Sequence, residues 1–540
     1  MADIAALIAR HDRLRADRGT FDSLWQEVAD YIIPSREFTQ RRGPGEKRMT
    51  KIFDTTAILA CEQLAGALHG MLTSPAVRWF ALRSADGAGN DAARAWFDDA
   101  TDAMYDAFNS PVAGFATNSH ETYLDVAAFG GGVQFVADRG RLGPQFRALP
   151  LAECFMAEGA DGTIDTLFRC YEIAARNAVA TWGAAAVGEK IAKLIEKTPD
   201  QLVKIVHAVY PRAEAERFNG RDARGRMPYA SIYFHLDGKH VIEEGGFKDF
   251  PYVAPRWAKR SGEVYGAGPG LSALADVKMV NAMAEVNLRA AQLGIAPPLM
   301  APDDGFLNPV DTRPNGINYY RAGTPEHDRI QPIMTGVRPD LGLDLIESVR
   351  ASIKASFYVE WMNLPDGPEM TATEVLQRRD ERLRLLGPMV ARLQQEFLGP
   401  MVARTFRIMF ENGLFPPAPP ELSGGAFRVE YLSPIALAQR ASEAEAAYRL
   451  WAAAAQAEQL SPGSSRVVDV PESLRYLADR FGTPQKLLRP AEEVAAAQQQ
   501  QQQTQQDSIA IGQAQGLAGV AKDAAAAAAQ FRPQQQPAAA

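Results

Sequence analysis

The apolar residues of this chain follow a helical period up to about Gly130, a strand period to about residue 255, and a helical period again from Gly270. Any fold must therefore hold a β unit inside a mainly helical frame. Within the β stretch, GGVQFVADRG, GPQFRALPLAECFMAE and GTIDTLFRCYEI are short apolar runs cut by Gly and Pro, which read as antiparallel strands. After a helical patch near Lys190 to Lys197, VKIVHAVYPR alternates Val203, Ile205, His207 and Val209, the mark of a half-buried strand. In SIYFHLDGKHVIEE the pair Asp237-Gly238 separates two apolar runs and predicts a hairpin. The fold class is α+β.

On the N-terminal side, Ile4, Leu7, Ile8, His11 and Leu14 share a helix face through about Arg18. Gly19 breaks that helix, and Thr20 is placed to cap a second one carrying Phe21, Leu24, Trp25, Val28, Tyr31 and Ile32, ended by Pro34. SREFTQRRGPGEKR reads as a mobile loop. Further helices follow Asp54, stopping before Pro75, and run through Trp96, Phe97, Met104, Tyr105 and Phe108. Beyond Gly270, LSALADVKMVNAMAEVNLRAAQLG reads as one long helix. The Pro/Gly/Asn-rich PPLMAPDDGFLNPVDTRPNGINYYRAG interrupts, a helix covers about Leu341 to Trp361, and the loop MNLPDGPEM follows. A long helical pattern from about Thr373 to Asn412 repeats LGPMVAR at Leu386–Arg392 and Leu398–Arg404. Proline inside a helix removes a hydrogen bond and clashes with the preceding turn, so each Gly-Pro pair should bend the rod; three short helices are the alternative. Past Pro434 the chain is Ala-rich and helical through Trp451 to about Gln459, and again from Leu474 to Phe481. From about Ala495 it collapses to Gln and Ala, too poor in bulky apolar residues to offset ordering entropy. That tail is expected to be disordered, with transient helix in the Ala runs.

The 540 residues suggest ~3 domains. With 57 Lys and Arg against 65 Asp and Glu, the net charge of −8 argues against a tight, free-standing nucleic-acid binder but not against a protein that handles DNA without gripping it. Cys61, Cys154 and Cys170 show no CxxC spacing, which disfavours disulfides and zinc and fits a reducing compartment. The N-terminus does not read as a signal peptide and no run is long and apolar enough for a membrane span, so the expectation is a soluble protein, cytoplasmic at synthesis.

Three glycines, Gly266, Gly268 and Gly270, open a helix in RSGEVYGAGPGLSAL. Such a turn either cradles phosphate on backbone N–H groups or makes a tight corner. The dinucleotide fingerprint needs its third glycine one residue later and an acid about 20 positions on. A P-loop ends in Gly-Lys-Ser/Thr, whereas Leu271 follows Gly270. Pro269 suits the first turn of a helix, where its missing N–H is not needed. The corner is the better reading. His120-Glu121 lacks a second His, the pairs Asp98-Asp99 and Asp303-Asp304 lack calcium-loop spacing, and no G-x-S-x-G occurs. His207 reads as a structural strand histidine. Arg378, Arg379, Arg382 and Arg384 interleave with Asp380 and Glu381, as on a solvated or subunit-facing helix. No catalytic, cofactor or metal site is expected.

The order of the blocks resembles the head-to-tail connector (portal) proteins of short-tailed bacteriophages. The matching stretches are RGTFDSLWQEVADYIIPSREFT, IFDTTAILACEQLAGALHGMLTSPAVRWFAL, QFRALPLAECFMAEGADGTIDTLFRCYEI, FPYVAPRWAKRSGEVYGAGPGLSAL, EMTATEVLQRRDERLRLLGPMVARLQQEFLGPMVARTFRIMFENG and LSPIALAQR, covering roughly residues 10 to 490. The resemblance implies a homo-oligomeric ring, usually of twelve subunits, at one capsid vertex, passing double-stranded DNA through its axis. It implies docking of the terminase large subunit, contacts with major capsid and scaffolding proteins, later attachment of tail adaptor or tube proteins, no membrane, and no hydrolysis by the ring itself.

It further implies a β-rich wing after N-terminal helices (1–265), a first stem helix (266–294), a clip (295–340), a second stem helix (341–362), a channel loop (363–372), a long bent wing helix with a return strand (373–434), a helical crown (435–490), and the Gln/Ala tail (491–540) outside the pattern. Gly266, Gly268, Pro269 and Gly270 would form the elbow from wing to stem. Channel candidates are Asn287, Arg289, Gln292, Arg350 and Lys354 on the stem and Asp366 and Glu369 on the loop. The alternative is a phosphate- or nucleotide-handling enzyme using the Gly266–Gly270 turn; a third is a capsid-associated scaffold without a channel.

Overall fold

The structure, a computed structural model, describes residues 3–40, 43, 45–84, 91–213, 226–295, 299–300, 331–332, 339–362, 386–419, 427–431, 446–457 and 468–480, with isolated positions at 323, 325 and between 493 and 522. The chain divides into two units. The first comprises Met1–Ala81, Thr101–Phe415 and Val429–Ala438; the second comprises Leu82–Ala100, Pro416–Arg428 and Gln439–Ala540.

Helix α1 runs unbroken from Ile4 to Tyr31, capped by the Asp3 carboxylate on the Ala5 and Ala6 amides. The break expected at Gly19 does not occur. Glycine inside a helix costs only about 1 kcal/mol, and the neighbouring Arg18 is locked in place by bonds to the carbonyls of Leu151, Ala152 and Cys154. Helices α2 (Thr56–Leu72), α3 (Asp91–Asn109) and α4 (Phe115–Phe129) follow, with strand β1 (Phe80–Ser84) between α2 and α3. The described residues of the loop after α1 are tethered. The Gln26 side-chain carbonyl accepts from the amides of Phe38, Thr39 and Gln40, Arg36 grips Asp125, and Lys51 reaches Asp30 at 2.7 Å.

The β unit is antiparallel, as the alternation predicts. Strands β2 (Val133–Asp138), β3 (Pro144–Leu149) and β9 (Tyr252–Val253) form one sheet in the order β3-β2-β9. Strands β4 (Cys154–Glu158), β5 (Ile164–Ala174), β6 (Leu202–Pro211), β7 (Tyr229–His235) and β8 (His240–Phe247) form a second, in sequence order. Helices α5 (Ala175–Trp182), α6 (Ala184–Val187) and α7 (Glu189–Lys197) lie between β5 and β6. Strand β6 is buried on both faces, not one. Val206 and Ala208 join a core with Leu7 and Leu14 of α1, while Val203 and Ile205 pack with Ala178 and Ile191 of α5 and α7. The β7–β8 hairpin forms, but over four residues: His235 pairs with His240, and Lys239, not Gly238, takes the left-handed conformation at φ 52°.

Helix α8 spans Pro269–Ile295 and starts at the proline, as expected. The described part of the following segment holds two short strands, β10 (Leu299–Met300) and β11 (Gln331–Pro332), paired antiparallel. Helix α9 (Pro339–Ser356) is shorter than the sequence predicts. Tyr358, at φ 59°, separates it from α10 (Val359–Met362). The 363–372 loop, with Asp366 and Glu369, and the first part of the long helix lie outside the described residues.

In the described part of the long helix, α11 (Gly387–Leu393) opens on the first Gly-Pro pair. A π turn over Gln394–Leu398 then leads into α12 (Gly399–Glu411) at the second. The rod continues through Pro400 because the π turn supplies the adjustment: the Gly399 amide reaches back to the Gln394 carbonyl, which also accepts from the Tyr431 hydroxyl at 3.0 Å. Tyr431 belongs to β12 (Phe427–Tyr431).

In the second unit, Arg83 pairs with Asp98 at 3.0 Å and the Trp96 indole donates to the Pro416 carbonyl. Residues 446–457 are helical and α13 covers Val470–Arg480. Most of the Gln/Ala tail lies outside the described residues; its described positions between 493 and 506 are helical. No described helix is long and apolar enough to cross a membrane.

Candidate functional site: the glycine elbow and the paired long helices

The elbow is built from backbone meeting backbone. Gly130 ends α4 in the left-handed conformation at φ 84°, returning its amide to the Val126 carbonyl at 3.0 Å. The chain of Gly266–Gly270 lies directly against it. A Cβ on Gly268 would stand 2.7 Å from the Gly130 nitrogen and 2.8 Å from the Val126 carbonyl oxygen; one on Gly266 would collide with the Gly130 carbonyl, and one on Gly270 with that of Ala128. Trp257 donates its amide to the Gly130 carbonyl at 2.9 Å, and Ala267 to Ala258 at 2.8 Å. The carbonyl end of α4 thus fills the space beside the amino end of α8, an arrangement the helix dipoles favour. Backbone of α4 and its C-terminal turn thus stands where side chains at Gly266, Gly268 and Gly270 would lie, with Pro269 opening the helix between them.

A buried guanidinium locks this corner to the β unit and to the π turn. Arg256, 2% exposed, spends all five N–H groups. Its Nε and Nη2 form a fork on Glu396 at 3.0 and 2.8 Å, Nη1 reaches Glu158 and the Val264 carbonyl, and Nη2 also reaches the Gly162 carbonyl at 3.0 Å. Burial alone would raise the Glu158 carboxyl, but Lys259 and Arg256 hold it below the usual carboxylate range. Burial likewise works against the Arg256 charge, and the two carboxylates more than restore it. Glu396 sits within the π turn, which brings its carboxylate to Arg256.

Helices α8 and α9 pair antiparallel. Ser352 donates to Asp276 at 2.7 Å, and further along Gly342 lies against the Asn287 side chain. At 27 residues, α8 is about 40 Å long. Asn281 anchors it, its carbonyl accepting from the Phe53 and Asp54 amides at 2.7 and 3.0 Å. Arg350 of α9 clamps the buried Asp54 carboxylate at 2.8 Å and also pairs with Glu347. Burial pushes Asp54 up, but Thr56 and then Arg350 bring it below its ordinary value. Arg289 is exposed and paired with Glu285 one turn away. Gln292 and Lys354 are exposed and Asn287 is half-buried. Trp257, at the elbow, meets Tyr358 at the α9–α10 break in a tilted ring contact, centroids 5.7 Å apart.

The elbow glycines pack against Gly130, a partner the sequence did not single out. Gly130 lies far back in the chain, and the run FGGGV was its only signal. Arg256, Glu158 and Glu396 carry no local motif. Among the described residues no group of three or more His, Cys, Asp or Glu is placed to hold a metal ion.

Residues 5–488 match the family described as bacteriophage head to tail connecting protein. The chain belongs to that family. It is 31% identical over 518 residues to a probable portal protein of Bordetella phage BPP-1, covering 93% of this chain and 91% of the relative. It is 26% identical over 505 residues to the portal protein of Salmonella phage epsilon15, covering 90% and 89%. Among solved structures, a chain from the virion of a native gene transfer agent particle is similar at 12% identity and a TM-score of 0.37, covering 82% of this chain and 98% of the other. As a head-to-tail connecting protein, the chain is a component of the phage particle associated with head and tail.

Proposed function

We propose that copies of this chain close into a ring, of twelve subunits as the family resemblance implies, at one capsid vertex, and that double-stranded DNA enters and leaves through its axis. In this reading the β unit is the wing, α8 and α9 are the stem, the β10–β11 pair belongs to the clip, and the helices after residue 435 form the crown. The terminase large subunit docks on the ring during packaging, major capsid and scaffolding proteins surround it, and tail adaptor or tube proteins replace the motor. Assembly takes place in the host cytoplasm, and the chain itself catalyses nothing.

One observation carries the ring. The long helix pair leaves Met279, Val286, Leu288, Leu293 and Ile295 of α8 and Leu343 and Leu345 of α9 exposed, Ile295 at 86%. Such a set asks for covering surface, and neighbouring copies of the same pair supply it. Charge suits the conduit. A channel must not grip its cargo, since each neutralised phosphate adds affinity. Arg289 and Arg350 are already compensated by carboxylates, whereas Lys354 has no ion-pair partner among the described residues. Lys354 is the stem cation best placed to meet phosphate, with Asn287, Gln292 and the loop residues Asp366 and Glu369 as its polar companions.

The test is the mass of the purified protein together with particle images of the same sample. Annular particles many times heavier than one chain are expected. A persistent monomer that turned over nucleotide would overturn the reading and return the Gly266–Gly270 turn to the enzyme alternative.

A further inference from the structure

A cavity of about 280 Å³ lies where the two sheets of the β unit meet. Arg147 lines it from β3, Arg169 and Tyr171 from β5, Tyr233 from β7 and Trp182 from α5. No carboxylate is among the lining residues. Glu153 takes the Arg169 Nε at 2.9 Å and Glu243 takes the Trp182 indole at 3.0 Å, both from outside the lining. Each guanidinium lies over a ring, Arg147 over Phe135 at 5.4 Å and Arg169 over Tyr171 at 4.4 Å. Stacking leaves the N–H edges of a guanidinium free to donate. Arg147 is exposed and makes no hydrogen bond or ion pair among the described residues, and neither Nη group of Arg169 makes one. The Tyr171 and Tyr233 hydroxyls likewise have no hydrogen-bond partner there, and burial raises both phenols, so they remain O–H donors. His207 is spent: it bonds the Tyr252 and Ser231 hydroxyls, and its ring stacks on Tyr233 at 4.0 Å. The Arg147 and Arg169 charges both act on Tyr171, His207 and Tyr233, so the two cations share this space.

We infer that this cavity binds a small aromatic carboxylate, its carboxyl group held by Arg147 and Arg169 and its ring against the Trp182–Tyr233 wall. The flat N–H edge of a guanidinium matches the plane of a carboxylate, and charge makes such hydrogen bonds about twice as strong as neutral ones. Trp182 and Tyr233 meet at 5.3 Å between ring centroids and give the ring of the ligand an aromatic surface. The volume falls at the lower end of ligand pockets, roughly 300–1,000 Å³, which leaves room for one ring and its carboxyl group rather than for a whole nucleotide. Bound there, the anion would offset two cations that have no carboxylate between them and would tie β3 of one sheet to β5 of the other.

The experiment titrates the full-length protein with 4-hydroxybenzoate by calorimetry. Saturable binding of one equivalent per chain is expected, with a Kd of about 1 mM or tighter. Acetate, which lacks the ring, and 4-hydroxybenzamide, which lacks the charge, should each bind at least tenfold more weakly. Arg147→Gln should weaken 4-hydroxybenzoate at least tenfold while its Tm without ligand stays that of the wild type, because Arg147 is exposed and unpaired. Arg141→Gln, which removes an exposed cation outside the lining, should bind as the wild type does. Wild-type protein with no saturable binding, or an Arg147→Gln variant that binds as tightly as wild type, would overturn the site. So would 4-hydroxybenzamide or inorganic phosphate binding as tightly as the acid, since the first would remove the charge and the second the ring from the recognition.

Discussion

The β unit and the α8–α9 pair bury their apolar residues to different degrees. Strand β6 is covered on both faces, by α1 on one and by α5 and α7 on the other, so this part of the chain completes its own core. The helix pair buries Val277, Val280, Val349 and Ile353 and is clamped part-way along by Asn281 on the Phe53–Asp54 backbone and Arg350 on Asp54, yet it leaves large apolar side chains of both helices in solvent. The first region is finished as a protomer. The second, in the proposed reading, is covered by neighbouring copies. Substitutions should separate the two: those in the first should unfold the chain, and those in the second should leave a folded chain that does not associate.

The largest effect is expected at the elbow. Gly268→Val places a branched side chain into the Gly130 and Val126 backbone, which cannot yield as a side chain would. Loss of soluble folded protein, or a destabilisation above about 4 kcal/mol in denaturant unfolding, should follow. Arg256→Met comes next. It strands the Glu396 and Glu158 carboxylates and should cost about 3–5 kcal/mol, whereas adding Glu396→Gln should recover part of that loss. A double-mutant cycle by chemical denaturation measures the coupling; strict additivity would refute the lock.

A smaller effect comes from pH. Burial, then the charges of Arg169 and Arg147, pushes His207 down to about 3. The folded state therefore binds fewer protons than the unfolded state between about pH 3 and the ordinary histidine value near 6.5. This contribution to stability is present in full above pH 6.5 and is lost as pH falls toward 3. His207→Gln should flatten the slope of unfolding free energy across that window. The least change in protomer stability is expected for Leu288→Asp at an exposed position of α8, within about 0.5 kcal/mol, yet light scattering should show the proposed ring lost. If Leu288→Asp unfolded the chain instead, the contrast between the two regions would fail.

The sequence made the strands legible because period two survives in β5 to β8, and it made the start of α8 legible because three glycines and a proline mark it. It hid what depends on distant partners. Helix α1 passes through Gly19 because Arg18 is fixed by carbonyls more than 130 positions away. Strand β6 reads as half-buried because alternation reports one face, while the second cover comes from the N-terminal helix. The Asp237-Gly238 pair signals a turn correctly but not its length, since the left-handed residue is Lys239. The pairing of Arg350, a channel candidate, with Asp54 is likewise hidden, because the two lie far apart in sequence.

The π turn at Gln394–Leu398 also sets rotational phase along the long helix. A π turn holds one more residue than the α turn it replaces, and each α-helical residue advances the chain by about 100°. Met401, Val402, Thr405 and Ile408 face inward only because that extra residue stands upstream of them. Deleting a single residue between Gln394 and Leu398 would leave α12 helical and nearly as long. It would nevertheless swing the buried row toward water and draw the Glu396 carboxylate off Arg256. The segment is thus constrained in the number of its residues as well as in the identity of Glu396, Phe397 and Leu398.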